Sequence, residues 1–274
     1  MSILEKISEV LLAPRKKART KYEMTDEVIY LDGHELHRIR ALKDFDRADK
    51  NGKRSSVKQG DLGGFIEKES NLSQSNVAWI YDDACVYEDA EIENKAGVWD
   101  NAKVYGEAAI CGKAKVMGSA QVYGKSKVYD EAIIMDESRV FDTVLIENKA
   151  KIMGNAQIYG DALVVESAQI SDDARIYDKS FIDGNAKVYG NAQVYGEGAV
   201  TNNAQVCGNA KICDACVIKK SKVSGNVKIL NAKIQNDIQF KGNICIDGKK
   251  EAGKKLIEEI NNGITEILAY DHAQ

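Results

Sequence analysis

Proline is almost absent from this sequence: among 274 residues only Pro14 is found. Because proline cannot donate a hydrogen bond to a β ladder, its absence after residue 14 leaves every later backbone amide able to pair. Long hydrophobic runs are also missing, and no stretch approaches the roughly 20 apolar residues that a membrane-spanning helix needs. The sequence therefore disfavours a loop-rich enzyme and predicts no transmembrane segment.

Positive charge is in deficit. The chain has 38 Lys and Arg against 42 Asp and Glu, a net charge of −4, and residues 78–218 hold only 13 cations against 22 acids. Such a segment repels a polyanion, so we expect no nucleic-acid partner. The six cysteines come without an export signal, which predicts reduced thiols and a cytoplasmic location.

A six-residue repeat fills the middle of the chain. NAKVYG occurs at Asn101 and again at Asn185, with NAQVYG and NAQIYG as variants. Val or Ile stands at every sixth residue from Ile80 to Ile212, 23 successive positions without an insertion, and a small residue stands two places before each. Each Val or Ile predicts a very short strand, and the Gly, Asn or Asp that follows predicts a corner. Three strands and three corners close a coil of about 18 residues, and coils stack about 4.8 Å apart.

This pattern resembles the hexapeptide-repeat superfamily, whose fold is a left-handed parallel β-helix. The left hand is implied by the resemblance alone, because general crossover rules favour the right hand. LHRIRALKDF and GDLGGFIEKESNLS, together with the A-x-V-Y-G-N repeats, resemble more narrowly the bacterial and phage-encoded proteins of the YdcK type. That family is named for hexapeptide transferases, and its function is largely unproven. The expected fold class is an all-β solenoid of about ten triangular coils with a small N-terminal α/β cap and a C-terminal helix.

The chain divides into four predicted segments. Residues 1–21 form an amphipathic helix and a basic stretch, and residues 22–71 form the cap, in which 43–60 is a solvated, mobile loop. The β-helix spans 72–248, with looser spacing after residue 218. Residues 249–274 hold an apolar stripe at helical spacing, which predicts the amphipathic C-terminal helix.

One outward column of the predicted coils is aromatic, and cations and amides stand in the column beside it. The structural interpretation is that stacked rings stabilise a parallel ladder; the functional one is a flat surface for a sugar polymer, a nucleotide or a partner protein. The candidate partner-binding residues are Tyr87, Tyr105, Tyr123, Phe141, Tyr159, Tyr177, Tyr195, Arg139 and Arg175.

A second face carries an apolar stripe at outward positions that elsewhere hold Lys or Gln. Such a stripe indicates a covered surface. Two covers remain open: another subunit, which would make a homodimer or homotrimer of the kind common in this superfamily, or the chain's own C-terminal helix. The candidate oligomer-interface residues are Leu145, Leu163, Val165, Phe181 and Val217.

The chemistry expected from the resemblance is missing from the repeats. Acyltransferases of this fold generally use a histidine at a subunit cleft, and its carbonic anhydrases hold zinc with three histidines. The three histidines here, His34, His37 and His272, all lie outside the repeats, and no loop interrupts them. Cys213 and Cys216 form a CxxC pair, a weak signal in this register. We therefore predict no catalytic residue, no metal and no cofactor.

Three functions stay open at this point. The first is a non-catalytic scaffold or binding protein that self-associates and engages a protein partner through its aromatic and apolar faces. The second is an acyltransferase-like enzyme that uses CoA at a subunit interface. The third is a phage-type inhibitor or sequestering protein that acts on a host protein or a nucleotide.

Overall fold

The computed structural model describes residues 20–263 and the backbone of residues 266–268. The amphipathic helix predicted at the start of the chain and the last residues of the C-terminal segment lie outside this range. Apart from two longer strands near its start and a 3-10 turn, the described chain consists of strands of two to five residues and one α-helix.

The N-terminal cap is built from five strands. They are β1 (Tyr22–Leu31), β2 (His34–Ala41), β3 (Phe45–Ala48), β4 (Arg54–Val57) and β5 (Leu62–Ile66). β2 pairs antiparallel with both β1 and β5. β5 also pairs in parallel with the first strand of one face of the shaft, so the cap sheet continues directly into the β-helix.

The structure corrects the prediction for residues 43–60, where a β-hairpin replaces the expected mobile loop. β3 and β4 pair antiparallel, with Phe45 opposite Val57 and Ala48 opposite Arg54. The Asp49 carboxylate accepts hydrogen bonds from the amides of Asn51 and Lys53 and so closes the turn. Half of this segment is charged because one side of the hairpin faces water, while a few alternating residues face the shaft.

After a short 3-10 turn at Glu69–Asn71, the shaft begins. Its strands in chain order are β6 Trp79–Ile80, β7 Cys85–Val86, β8 Glu91–Ile92, β9 Gly97–Val98, β10 Lys103–Val104, β11 Ala109–Ile110, β12 Lys115–Val116, β13 Gln121–Val122, β14 Lys127–Val128, β15 Ile133–Ile134, β16 Arg139–Val140, β17 Leu145–Ile146, β18 Lys151–Ile152, β19 Gln157–Ile158, β20 Leu163–Val164, β21 Gln169–Ile170, β22 Arg175–Ile176, β23 Phe181–Ile182, β24 Lys187–Val188, β25 Gln193–Tyr195, β26 Ala199–Thr201, β27 Gln205–Val206, β28 Lys211–Cys213, β29 Val217–Lys219, β30 Lys222–Gly225, β31 Lys228–Leu230, β32 Lys233–Ile234, β33 Gln239–Gly242 and β34 Cys245–Asp247.

Every third strand pairs in parallel, which gives three flat faces and about ten coils. The first face runs from β7 to β34, the second from β8 to β32 and the third from β6 to β33. Over the regular repeats, each residue pairs with the one 18 positions later, as in Lys103 with Gln121 and Leu145 with Leu163. The solenoid predicted from the six-residue repeat is confirmed.

The core is a column of Val and Ile side chains with alanines at the corners. All 23 repeat positions from Ile80 to Ile212 are fully buried. The looser continuation is also confirmed, because the five inward residues expected after Ile218 are buried as well: Val223, Ile229, Ile234, Phe240 and Ile246.

The corners explain the many acidic residues of the shaft. Corner residues such as Asp142 and Asp172 have φ of 63° and 57°, a left-handed conformation that Asp, Asn and Gly tolerate best. The Asp142 carboxylate accepts a hydrogen bond from the Gly160 amide at 3.0 Å, and Asp172 does the same for Gly190 at 2.9 Å. These carboxylates therefore tie one coil to the next.

The helix α1 (Glu251–Asn261) closes the C-terminal end of the shaft. It packs against β32 and β34, and its Ile260 is fully buried. The Asn236 side chain donates to the carbonyl oxygens of Ile260 and Asn261. Then β35 (Glu266–Leu268) pairs in parallel with β33. α1 thus stands where a further strand of the second face would lie, and it covers the end of the core.

Candidate functional site

The aromatic column on the first face forms a continuous stack of rings. The seven rings from Tyr87 to Tyr195 lie with centroids 4.7–5.0 Å apart and planes within 2–9° of parallel. Each ring follows an inward Val or Ile and so projects from a corner at the same height as its strand. We call this stack the tyrosine ladder.

The faces of the ladder's rings are occupied by one another. At the N-terminal end, the His34 ring lies 5.3 Å from that of Tyr87, whose hydroxyl donates to Asp32 at 3.0 Å. Burial raises the pKa of the Tyr87 phenol, and burial also raises the pKa of Tyr105 to about 12. Between its ends the ladder therefore presents ring edges and neutral hydroxyls, rather than free faces, to a ligand.

The two candidate arginines stand beside the ladder. Arg139 begins β16 and Arg175 begins β22, and both side chains are exposed. Gln157 occupies the same position on the strand between them. This part of the first face therefore combines half-buried ring edges with cations two rungs apart.

The apolar stripe lies on the second face. Leu145, Leu163 and Phe181 are neighbours on β17, β20 and β23, and Val217 extends the row on β29. All of these side chains, and Val165 beside them, are half-buried. The contacts of α1 are with the last coil, so the helix covers the end of the shaft rather than the middle of this stripe.

The ladder and the stripe do not form one site, because they lie on different faces of the prism. A single ligand of ordinary size cannot contact both. They are two separate candidate surfaces that a rigid shaft holds at a fixed angle.

The two histidines of the cap have different hydrogen-bond partners. The Nδ1 atom of His34 lies 2.9 Å from Glu67, and this hydrogen bond raises the pKa of His34. His37 contacts the carbonyl oxygen of Thr25 at 3.0 Å. Across residues 20–263, no three His, Cys, Asp or Glu side chains are grouped so as to hold a metal ion.

Cys207 and both cysteines of the CxxC pair are buried. Cys207 and Cys213 stand at outward repeat positions, and the Cys213 thiol approaches the carbonyl oxygen of Ile229. Cys216 is buried at a corner, and burial raises its pKa to about 12. A protonated, inaccessible thiol is a poor nucleophile, so the CxxC pair has the character of packing residues.

One contact region was missed by the sequence analysis. The hairpin β3–β4 lies against the third face, where Phe45 packs on Trp79 with ring centroids 5.5 Å apart. Arg47 reaches both Tyr81 and Trp99, with its guanidinium carbon 5.0 and 5.1 Å from their ring centroids. Alternation of Phe45, Arg47 and Val57 was the only available signal, and the surrounding charges concealed it.

The comparisons with known proteins concern the shaft. A family model described as the YdcK beta solenoid repeat matches residues 156–168 and 168–184, which span β19 to β23. The comparison with curated proteins finds no match. In the described part of the chain, no helix has the length and hydropathy of a membrane span. The repeat match and the parallel coils together confirm that this chain resembles the β-solenoid repeat proteins of the YdcK type.

Proposed function

We propose that this chain is a non-catalytic β-helical scaffold that self-associates through the apolar stripe of its second face. The observation that supports it most is the row of half-buried Leu145, Leu163, Phe181 and Val217 on consecutive or nearby rungs. Contiguous apolar rows on a flat surface are typical of protein interfaces. The protein's six cysteines are all free, which suits a reducing compartment, and we place the scaffold in the cytoplasm.

A second copy of the chain is the partner that fits this stripe best. The rungs of both copies have the same spacing of about 4.8 Å, so side chains of one row can interleave with those of the other along its whole length. In an antiparallel pair related by a two-fold axis, Phe181 lies near the axis, and Leu145 faces Val217 of the other copy. Self-complementarity of this kind is what an isologous interface requires.

The test replaces Leu163 and Phe181 together by Asp. Both side chains are outward, so the core column is unchanged. Burying two carboxylates against an apolar row costs several kcal/mol, and we expect the oligomer to dissociate to a soluble monomer. Light scattering coupled to size exclusion measures the mass, and circular dichroism measures retention of the β-helix.

The matched control is Gln169→Asp with Gln205→Asp. These residues occupy the same repeat position on the third face, on β21 and β27. The control should keep the wild-type mass. An unchanged mass for the stripe variant, or a wild-type protein that is monomeric at micromolar concentration, contradicts the proposal.

The first face is proposed as the surface for a protein partner. Tyr edges and hydroxyls with Arg139 and Arg175 beside them match the residue types that are enriched at protein interfaces. If another protein binds this face, Arg139→Ala with Arg175→Ala should weaken its binding. Neither arginine takes part in an ion pair within residues 20–263, so both side chains are available to contact that protein.

A further inference from the structure

A cavity lies where the β3–β4 hairpin crosses the third face of the shaft. Its volume is about 500 Å³, which is within the range of small-molecule sites. The hairpin forms one wall, and the outward residues of the first coils form the other. Its lining includes Arg47, Val77, Lys95, Trp99, Lys115 and Ile133.

The cavity depends on Gly97. At the same repeat position, the other coils of this face carry a side chain. A Cβ atom at Gly97 would lie 2.2 Å from the Trp99 ring and 2.5 Å from an Arg47 nitrogen. Gly97 does not need a special backbone conformation, because its φ is not in the left-handed region. Glycine is therefore required here because a side chain would fill the space in which Trp99 and Arg47 pack together at the base of the cavity.

The cavity carries net positive charge, because four cations and two acids line it. Arg47 is only 7% exposed, and it donates to the carbonyl oxygens of Ala48 and Val77. Lys115 donates to the carbonyl oxygen of Lys50 at 2.9 Å. Within residues 20–263, Arg47, Lys95 and Lys115 form no ion pair with any carboxylate.

The two acids of the lining are already neutralised by other residues. Glu131 pairs with Lys113 at 2.6 Å, and Asp46 pairs with Arg54 at 2.8 Å. Arg47, Lys95 and Lys115 thus face one cavity without an ion-pair partner, and only the carboxylates of Asp49 and Glu131 act on Lys115 from a longer distance. A buried cation is costly unless an anion is supplied, and burial accordingly lowers the pKa of both Arg47 and Lys115.

The rest of the wall is apolar, since Val77, Trp99 and Ile133 separate the cations. We propose that this cavity is a binding site for a small organic phosphate, in which a phosphate monoester meets Arg47, Lys95 and Lys115 and a flat apolar group lies against Val77 and Ile133. A dianion suits three cations better than a carboxylate does, because electrostatic attraction grows with the ligand's charge. The site is separate from the self-association surface, which lies on the second face.

Isothermal titration calorimetry at low ionic strength tests the site with four probes. Phenyl phosphate carries both the charge and the ring, inorganic phosphate carries the charge alone, phenol carries the ring alone, and benzylamine reverses the charge. We expect phenyl phosphate to bind, inorganic phosphate to bind about tenfold more weakly, and phenol and benzylamine to give no heat. Tenfold corresponds to about 1.4 kcal/mol.

Two lysine variants locate the site on the protein. Lys95→Gln and Lys115→Gln should each weaken phenyl phosphate binding by about tenfold. Lys151→Gln is the matched control, because Lys151 occupies the same repeat position two coils further along the third face and is exposed. Arg47 is left intact in this test, since its burial makes loss of folding a risk.

Three outcomes overturn the proposal. One is no heat with phenyl phosphate, and another is equal affinity of wild-type protein and both cavity variants. The third is binding of phenol as tight as that of phenyl phosphate, which would mean an apolar pocket without a phosphate site. Inorganic phosphate as tight as phenyl phosphate overturns the apolar half and leaves a plain anion site.

Discussion

Lys21 is a buried cation at the junction of cap and shaft. Its side chain is 1% exposed, and its ammonium group donates to the carbonyl oxygens of Ser73 and Ala78. Burial, with the positive charges of Arg47 and Lys43, lowers its pKa from 10.5 to about 7. In the unfolded chain the same lysine keeps its proton to far higher pH.

This difference predicts that the protein becomes more stable as pH rises from about 7 to about 8. Over that interval the unfolded chain holds a proton that the folded chain has lost, so the free energy of unfolding increases by up to about 1.4 kcal/mol per pH unit. Lys21→Met should flatten this rise. Urea unfolding at several pH values in that interval measures it, below the pKa of about 8.5 at which the thiols of the unfolded chain lose their protons.

The control is Lys58→Met, an exposed lysine of the same cap. It should keep the wild-type slope. Equal slopes in the wild type and Lys21→Met contradict the assignment. A stability that instead falls as pH rises from about 6.5 would report His34, whose raised pKa makes the folded state lose stability as pH rises through that pKa.

At the scale of the element, the tyrosine ladder is predicted to stabilise the shaft. Tyr123 and Tyr159 each stack on two neighbours at 4.7–5.0 Å. Aromatic pairs contribute about 0.5–1.5 kcal/mol beyond their buried area. Replacing both by Ala should lower the free energy of unfolding by about 2–4 kcal/mol, measured by denaturant titration.

The matched variants Tyr123→Phe and Tyr159→Phe test the role of the hydroxyls. Phe141 already stands in the column, so a ring without a hydroxyl fits there. We expect wild-type stability from the Phe pair. If the Ala pair is as stable as the wild type but loses a bound protein, the ladder is a recognition surface and its stacking is incidental.

The shaft and its inward residues were predictable because the same six-residue pattern recurs many times along the chain. A Val or Ile at every sixth position, from Ile80 onward, leaves few alternatives to a short strand on each side of a coil. The hairpin β3–β4 has no such repetition. Its fold depends on Phe45 and Arg47 finding partners in Trp79, Tyr81 and Trp99, which are distant contacts that a local pattern does not contain.

The two candidate surfaces were predictable in position, and so was the stacking of the aromatic column. Period 18 placed the ladder and the stripe on two faces. The expected stack of rings is observed, with neighbouring rings on each other's faces. The cavity was missed because Gly97 and Lys115 belong to the shaft, whereas Arg47 comes from a segment interpreted as a loop.

At the scale of the whole molecule, each coil contacts only its neighbours, so the shaft should tolerate loss of one whole coil. Deleting residues 185–202 removes 18 residues and joins Gly184 to Asn203 in the same register. We expect a folded protein that is shorter by about 4.8 Å. Small-angle scattering measures the length, and circular dichroism measures the fold.

Deletion of 15 residues, 185–199, is the control. It shifts every later side chain out of register, so that outward residues point into the core. This variant should be insoluble or much less stable. If the two deletion variants are equally stable, the register of the coils does not determine the stability of the shaft, and the prediction is contradicted.

Because the rise per coil is constant, the distance between two sites along the shaft changes only in steps of one coil. The cavity at the cap involves Lys95 and Lys115, and the apolar stripe begins at Leu145 on another face. Inserting or removing one coil between them changes their separation by about 4.8 Å and leaves the angle between them nearly unchanged. Relatives of different length should therefore differ in reach by whole steps, so that a partner bridging both surfaces selects chains by coil number.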